Sequence, residues 1–137
     1  MFKVRHEQME AMLRHDDEKF LSFIVEHLQR ECRDSVRDID QVSLREMAAN
    51  GLARARGHGL RRARDLVAFV AIMFEIAPNF DEQADIRRAL RDPTVPIDRR
   101  FDAMLERVPD RAWEEAARAK VAEAWFPGLP GEEGDEP

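Results

Sequence analysis

The side chains able to do chemistry in this sequence are four histidines, His6, His15, His27 and His58, one cysteine, Cys32, and a dense set of arginines and carboxylates. No two histidines stand four residues apart as in a zinc-binding HExxH helix. A single cysteine excludes an intramolecular disulfide and a cysteine-based zinc site. Cys32 falls at the expected end of a helix, where the negative end of the dipole and the adjacent Glu31 both oppose a thiolate. It reads as a partly buried, inert thiol. The adjacent acids Asp16-Asp17 and Glu114-Glu115 diverge around a helix, whereas general acid–base work needs carboxyls that converge in a cleft. No glycine-rich phosphate loop, Walker pattern or GxSxG is present. The expectation is a protein that is not an enzyme, with no catalytic residue, metal site or cofactor.

The most unusual feature is cationic. Arg54, Arg56, Arg61, Arg62 and Arg64 flank the glycines of Gly57-His58-Gly59 with no acid between them. Guanidinium groups bind carboxylates through two parallel hydrogen bonds, so this turn suits acidic groups on a protein partner or on the chain's own helices. With His58 and Trp125, these arginines form the expected partner-binding set. Trp125-Phe126, just before the acidic tail, is the aromatic pair expected to be partly exposed. Helix–GHG–helix has a superficial likeness to a helix-turn-helix, but its second helix is apolar on nearly every side and offers bases no polar face. Nucleic acid is therefore not favoured as a partner. The aromatic residues Phe20, Phe23, Phe69, Phe74, Phe80, Phe101 and Trp113 stand at helical spacing and read as core, not as a ligand pocket.

The elements that must position these groups are helical. Residues 66–77, LVAFVAIMFEIA, form the longest apolar run, and only Glu75 interrupts it. The run is too short for a membrane helix, which takes about 20 apolar residues. Extended back to Leu60 it predicts a central helix over 60–77, surrounded by the others and stopped by Pro78. Before it, residues 1–4 suit an extended arm, 6–13 a short helix, and 18–31 a helix capped by Asp16 or Asp17. Residues 33–41 read as irregular, anchored by Val36 and Ile39. Ser43 and Glu46 have capping-box spacing and open a helix to about Arg56. Gly57 and Gly59 end it.

Beyond Pro78, Phe80 is expected to tuck inward and Asp81 to cap a helix through Leu90. The prolines of 92–96 make a rigid loop. A helix to Val108 then turns Phe101, Met104, Leu105 and Val108 inward. The last helix is expected over 110–126, with Trp113, Ala117, Val121 and Trp125 on one stripe. Residues 127–137, PGLPGEEGDEP, cannot bury enough surface to offset their ordering entropy and read as a disordered tail.

The chain has 137 residues and a formal charge of −6, of which Glu132, Glu133, Asp135 and Glu136 account for four. The rest is close to balanced, so bulk charge selects no partner. The N-terminus lacks the apolar stretch of a signal peptide. With one cysteine and no membrane segment, a cytoplasmic protein is expected.

The segments HEQMEAM…FLSFIVEHL, LREMAANGLARARGHGLRRARDLVAFVAIMF, PNFD and the RDP loop give residues 6–108 a layout that resembles small helical accessory proteins encoded beside the spike and effector genes of bacterial type VI secretion clusters. The matching positions are capping, turn and core positions. The resemblance implies an accessory factor that assists effector loading, with no catalytic residues to transfer. The helix containing Trp113 and the acidic tail lie outside it. The combined expectation is an all-α single domain over 1–126, with five to seven helices around the central one. Its expected role is that of an adaptor or chaperone-like factor for a secreted effector or spike protein. The alternatives are an immunity protein that neutralises a toxin and, behind it, a nucleic-acid binder.

Overall fold

Apolar residues at helical spacing, punctuated by Asp, Gly and Pro, fold into seven α-helices and no strand in the computed structural model, which describes residues 10–11 and 16–127. The helices are α1 (Asp17–Glu31), α2 (Arg33–Val36), α3 (Gln41–Gly57), α4 (Ala63–Glu75), α5 (Ala84–Leu90), α6 (Ile97–Arg107) and α7 (Asp110–Arg118). Short 3-10 helices occupy Phe80–Glu82 and Ala122–Trp125. The all-α class and the single domain are as the pattern predicts. The expected arm over 1–4, the helix over 6–13 apart from the helical Glu10 and Ala11, and the tail beyond Pro127 lie outside the described residues.

Helix α4 is the core element: Ala63, Asp65, Leu66, Val67, Phe69, Val70 and Met73 are all buried on it. Arg62, at its N-cap, makes no side-chain cap; instead the Glu10 carboxylate accepts the Ala63 N–H at 2.9 Å. An acid at this end also suits the dipole. The principal packing is α3 against α4, with α1 laid on α3, and α5 paired with α6. At the α3–α4 crossing Gly51 lets the backbones approach: a Cβ there would lie 3.1 Å from Met73 Sδ and 3.3 Å from Val70 Cγ2. Phe20, Phe69, Phe80 and Phe101 are the largest fully enclosed side chains, each contributing about 1.5–3 kcal/mol by leaving water.

Several boundaries differ from the sequence pattern for identifiable reasons. Helix α3 starts at Gln41 because Asp40, not Ser43, is the cap; its carboxylate accepts the Ser43 N–H at 3.2 Å. Residues 33–36 are helical, with Val36 buried as expected. Asp81 does not cap α5. Gln83 does, its Oε1 accepting the Asp85 and Ile86 N–H groups at 2.8 and 3.0 Å. Leu105 is 47% exposed and Val121 45% exposed, so neither joins the core.

The long terminal helix also breaks. Helix α7 ends at Arg118, and its buried residues are Ala112 and Ala116, with Ala117 exposed. The buried Asn79 amide reaches across to this break: Nδ2 donates to the Ala119 carbonyl at 3.0 Å, and Oδ1 accepts the Val121 N–H at 2.9 Å. One side chain thus satisfies a terminal carbonyl and the N–H that a continuing helix would have used. No helix among the described residues is long and apolar enough to cross a membrane.

Gly51→Val should overpack the α3–α4 crossing and lower stability by about 1–3 kcal/mol. Gly59 has φ +87°; Gly59→Ala should cost about 1 kcal/mol there, since a Cβ disfavours left-handed backbone. Urea unfolding followed by circular dichroism measures both. No loss from Gly51→Val would show that Met73 and Val70 yield freely.

Candidate functional site

The turn between α3 and α4 brings its five arginines to the chain's own acids. Arg54, in the last turn of α3, grips Asp81 through Nε–Oδ2 at 2.9 Å and Nη2–Oδ1 at 2.8 Å, and also reaches Glu82 at 3.3 Å. His58 Nε2 lies 2.7 Å from Asp81 Oδ2. An ionised carboxylate only accepts, so Nε2 carries the proton and donates. Arg62 forks onto the buried Asp65 at 2.9 and 3.0 Å and touches Asp102 at 3.4 Å. Arg64 meets Asp102 at 3.6 Å, Arg61 forks onto Asp98 at 2.9 and 3.2 Å, and Arg56 lies 3.5 Å from Asp17. Of the two destinations the sequence allowed for these arginines, the chain's own acids receive all five.

The pairs differ in environment. The Asp81 and His58 side chains are only 4% and 7% exposed, whereas Arg61, Arg56 and Arg64 are open to water and their pairs contribute little to stability. Burial pushes the Asp81 carboxyl upward, but hydrogen bonds from His58 and Arg54 and the Arg54 charge outweigh it and hold Asp81 below the usual carboxylate range. The His58 ring also packs on Phe69 at 5.6 Å, and Phe69 on Phe80 at 4.8 Å, so the polar cluster is walled by aromatic core. His58 Nδ1 is buried with no hydrogen-bond partner among the described residues.

Trp125 is not partly exposed as the sequence suggested. It is 7% exposed, with its ring 4.3 Å from that of Phe74 and its carbonyl accepting from Asn50 Nδ2 at 2.8 Å. The 3-10 turn after the α7 break carries it onto the core, against Phe74. Cys32 is buried, and its thiol is pushed up to about 12 by desolvation first and then by Glu75 and Glu31. No group of three or more His, Cys, Asp or Glu arranged to hold a metal occurs among the described residues.

Several cationic groups have no carboxylate partner among the described residues, Arg33, Arg37 and Arg118 among them, and three more stand around the loop 92–96. Arg87 in α5, Arg91 just after it and Arg99 in the first turn of α6 are exposed, and none makes an ion pair among the described residues. They border open grooves on either side of the loop 92–96, about 580 Å³ along Arg87, Arg91 and Pro93 and about 530 Å³ along Arg62, Arg99 and Arg107. Comparison with protein-family models, curated proteins and solved structures finds no match for this chain.

The signal for the second set was present in RRALRDPTVPIDRR, which holds as many arginines in 14 residues as the first stretch holds in 11. Asp92 and Asp98 punctuate it, so it is not acid-free like the first. In the fold Asp98 is taken by Arg61, 37 residues earlier in the chain, which leaves Arg99 unpaired. Asp92 is turned to its own loop, accepting the Thr94 N–H at 2.9 Å and the hydroxyl at 2.7 Å.

Arg54→Met should cost about 3–5 kcal/mol, since it leaves the Asp81 charge buried with His58 alone. Asp81→Asn should cost less, because the amide still fills the site and accepts one bond. Because the folded-state carboxyl lies below its unfolded value, its contribution is present above about pH 4 and is lost as pH falls through the depressed folded value. A wild-type acid transition should therefore flatten in Asp81→Asn. An identical acid transition in both proteins would place the sensitive carboxylate elsewhere.

Proposed function

We propose that this protein is a non-enzymatic protein-interaction module, an adaptor or chaperone-like accessory factor for a secreted effector or spike protein. The observation that carries the reading is how the charged groups are used. Those that converge, Arg54, His58 and Asp81 or Arg62, Asp65 and Asp102, bind one another across helix contacts and join elements of the fold. The unpaired arginines lie on the outer surface, where a macromolecule has access. The likeness of residues 6–108 to helical accessory proteins of type VI secretion clusters supplies the class of partner. A protein partner suits the surface better than nucleic acid, because α4 turns its apolar residues into the core and offers bases no polar face.

The test is crosslinking and affinity purification of the tagged full chain from cells that express it naturally. One polypeptide recovered in near-equal amount, and bound directly by the purified chain, is the expected result. If that polypeptide is toxic alone and harmless with this chain, the role is that of an immunity protein and not an escort. Recovery of nucleic acid alone, or of nothing, would overturn the reading.

A further inference from the structure

The loop 92–96 is a projection with an arginine on every side. Asp92 binds Thr94 twice, and Arg100 donates to the Val95 carbonyl from Nε at 3.1 Å and Nη2 at 2.7 Å, so the loop is fixed from within and from α6. Grooves of about 580, 220 and 530 Å³ follow one another around it, sharing Asp92 and Val95 and edged by Arg87, Arg88, Arg91, Arg99 and Arg107. Their acids are already engaged: Asp85 by Arg88 and Arg111, Asp92 by its own loop and Arg107, Asp102 by Arg62 and Arg64. Among the described residues Glu106 is the lining acid without an ion pair, against Arg87, Arg91 and Arg99. The track thus carries an excess of free guanidinium in a chain whose formal charge is −6.

Stability explains only part of this placement. Arg87 and Arg91, one turn apart at the C-terminal end of α5, suit the negative pole of that helix. Arg99 sits in the first turn of α6, where the dipole is positive and a cation is disfavoured, and the acid beside it there, Asp98, is forked onto Arg61. Fork-shaped guanidinium groups at both ends of the track match carboxylates, and Ala84, Pro93 and Val95 between them offer small apolar contacts to a backbone laid across the loop.

Resting on the protein-binding reading, we propose that this track is the docking surface and that its occupant is an extended, Asp- and Glu-rich segment of a partner protein. Carboxylates of that segment pair with Arg87 and Arg91 at one end and Arg99 at the other. The loop 92–96 lies beneath its backbone. The arginine turn between α3 and α4 is support for the fold and not the contact.

The test uses the full chain and a short fluorescein-labelled peptide of alternating Glu and Ala, with Gln in place of Glu as its counterpart and a short DNA duplex as a third probe. The Glu peptide should bind, the Gln peptide about tenfold or more weaker, and added salt should weaken the Glu complex. Arg87→Ser/Arg91→Ser/Arg99→Ser should weaken Glu-peptide binding by at least about tenfold, and Arg37→Ser/Arg118→Ser, removing exposed arginines outside the track, should not. Unchanged circular dichroism qualifies each variant. Amide-shift mapping on wild type should place the peptide on α5, the loop 92–96 and the start of α6 whether or not the variants fold. Equal losses in the two variants, tighter DNA binding through the same arginines, or no binding of the Glu peptide would overturn the proposal. So would much tighter peptide binding by Glu132→Gln/Glu133→Gln/Asp135→Asn/Glu136→Gln, which would make the chain's own acidic end the occupant. A natural partner captured equally by wild type and the triple arginine variant would overturn this surface and leave the protein-binding reading standing.

Discussion

The fold depends on one buried carboxylate. Asp81 lies in the short 3-10 turn between α4 and α5, and it is held by Arg54 from the end of α3 and His58 from the residue after it. A buried ion pair is a modest stabiliser because desolvation offsets most of its Coulomb energy, but losing one partner strands the other charge. The consequence is geometric. The pairing fixes where α3 ends relative to where α5 begins, and the turn it anchors places its neighbours. Asn79 clasps the break after α7, Phe80 stacks between Phe69 and Trp113, and Gln83 caps α5 while bonding Glu115 at 2.8 Å. These contacts radiate from three residues, Asn79, Phe80 and Gln83, that stand within two positions of Asp81.

That dependence explains what the sequence could and could not reveal. The class, α1, α3, α4 and the inward Phe80 follow from periodicity and capping chemistry, which are local. Asp81 followed the rule for a helix cap, being an acid just before a helical stretch, and the rule failed because two hydrogen-bond donors, Arg54 and His58, 27 and 23 residues earlier in the chain claim it. Gln83 could then take the capping role. In the same way, a helical period through Trp113, Ala117, Val121 and Trp125 suggested a continuous helix. The competing signal was Asn79, whose amide offers the broken helix replacement hydrogen bonds, and nothing near residue 119 announces it.

The arginines make the same point about the candidate site. An acid-free stretch of sequence proved to be acid-paired in space, and a stretch interleaved with Asp proved to carry three unpaired arginines, Arg87, Arg91 and Arg99. Arg61 takes Asp98 away from Arg99, and Arg62 with Arg64 takes Asp102. Charge patterning along a helix reports local pairs at three and four residues. It does not report which helix will be laid alongside, and here the pairing between the α3–α4 turn and α6 decides which charges remain.

Those remaining charges separate a scaffold from a surface within one composition. Where guanidinium meets carboxylate between elements with little water, as at Arg54 and Asp81, the interaction specifies packing, and its side chains are no longer available to a partner. Where an arginine stands exposed at the positive pole of a helix, as Arg99 does, the dipole does not favour its charge. A protein with an acidic excess can still present cationic ground because its acids are spent unevenly. Fixing the loop 92–96 from within adds the second requirement of a docking surface, since a segment bound across a preordered loop loses less free energy to ordering than one bound to a mobile loop.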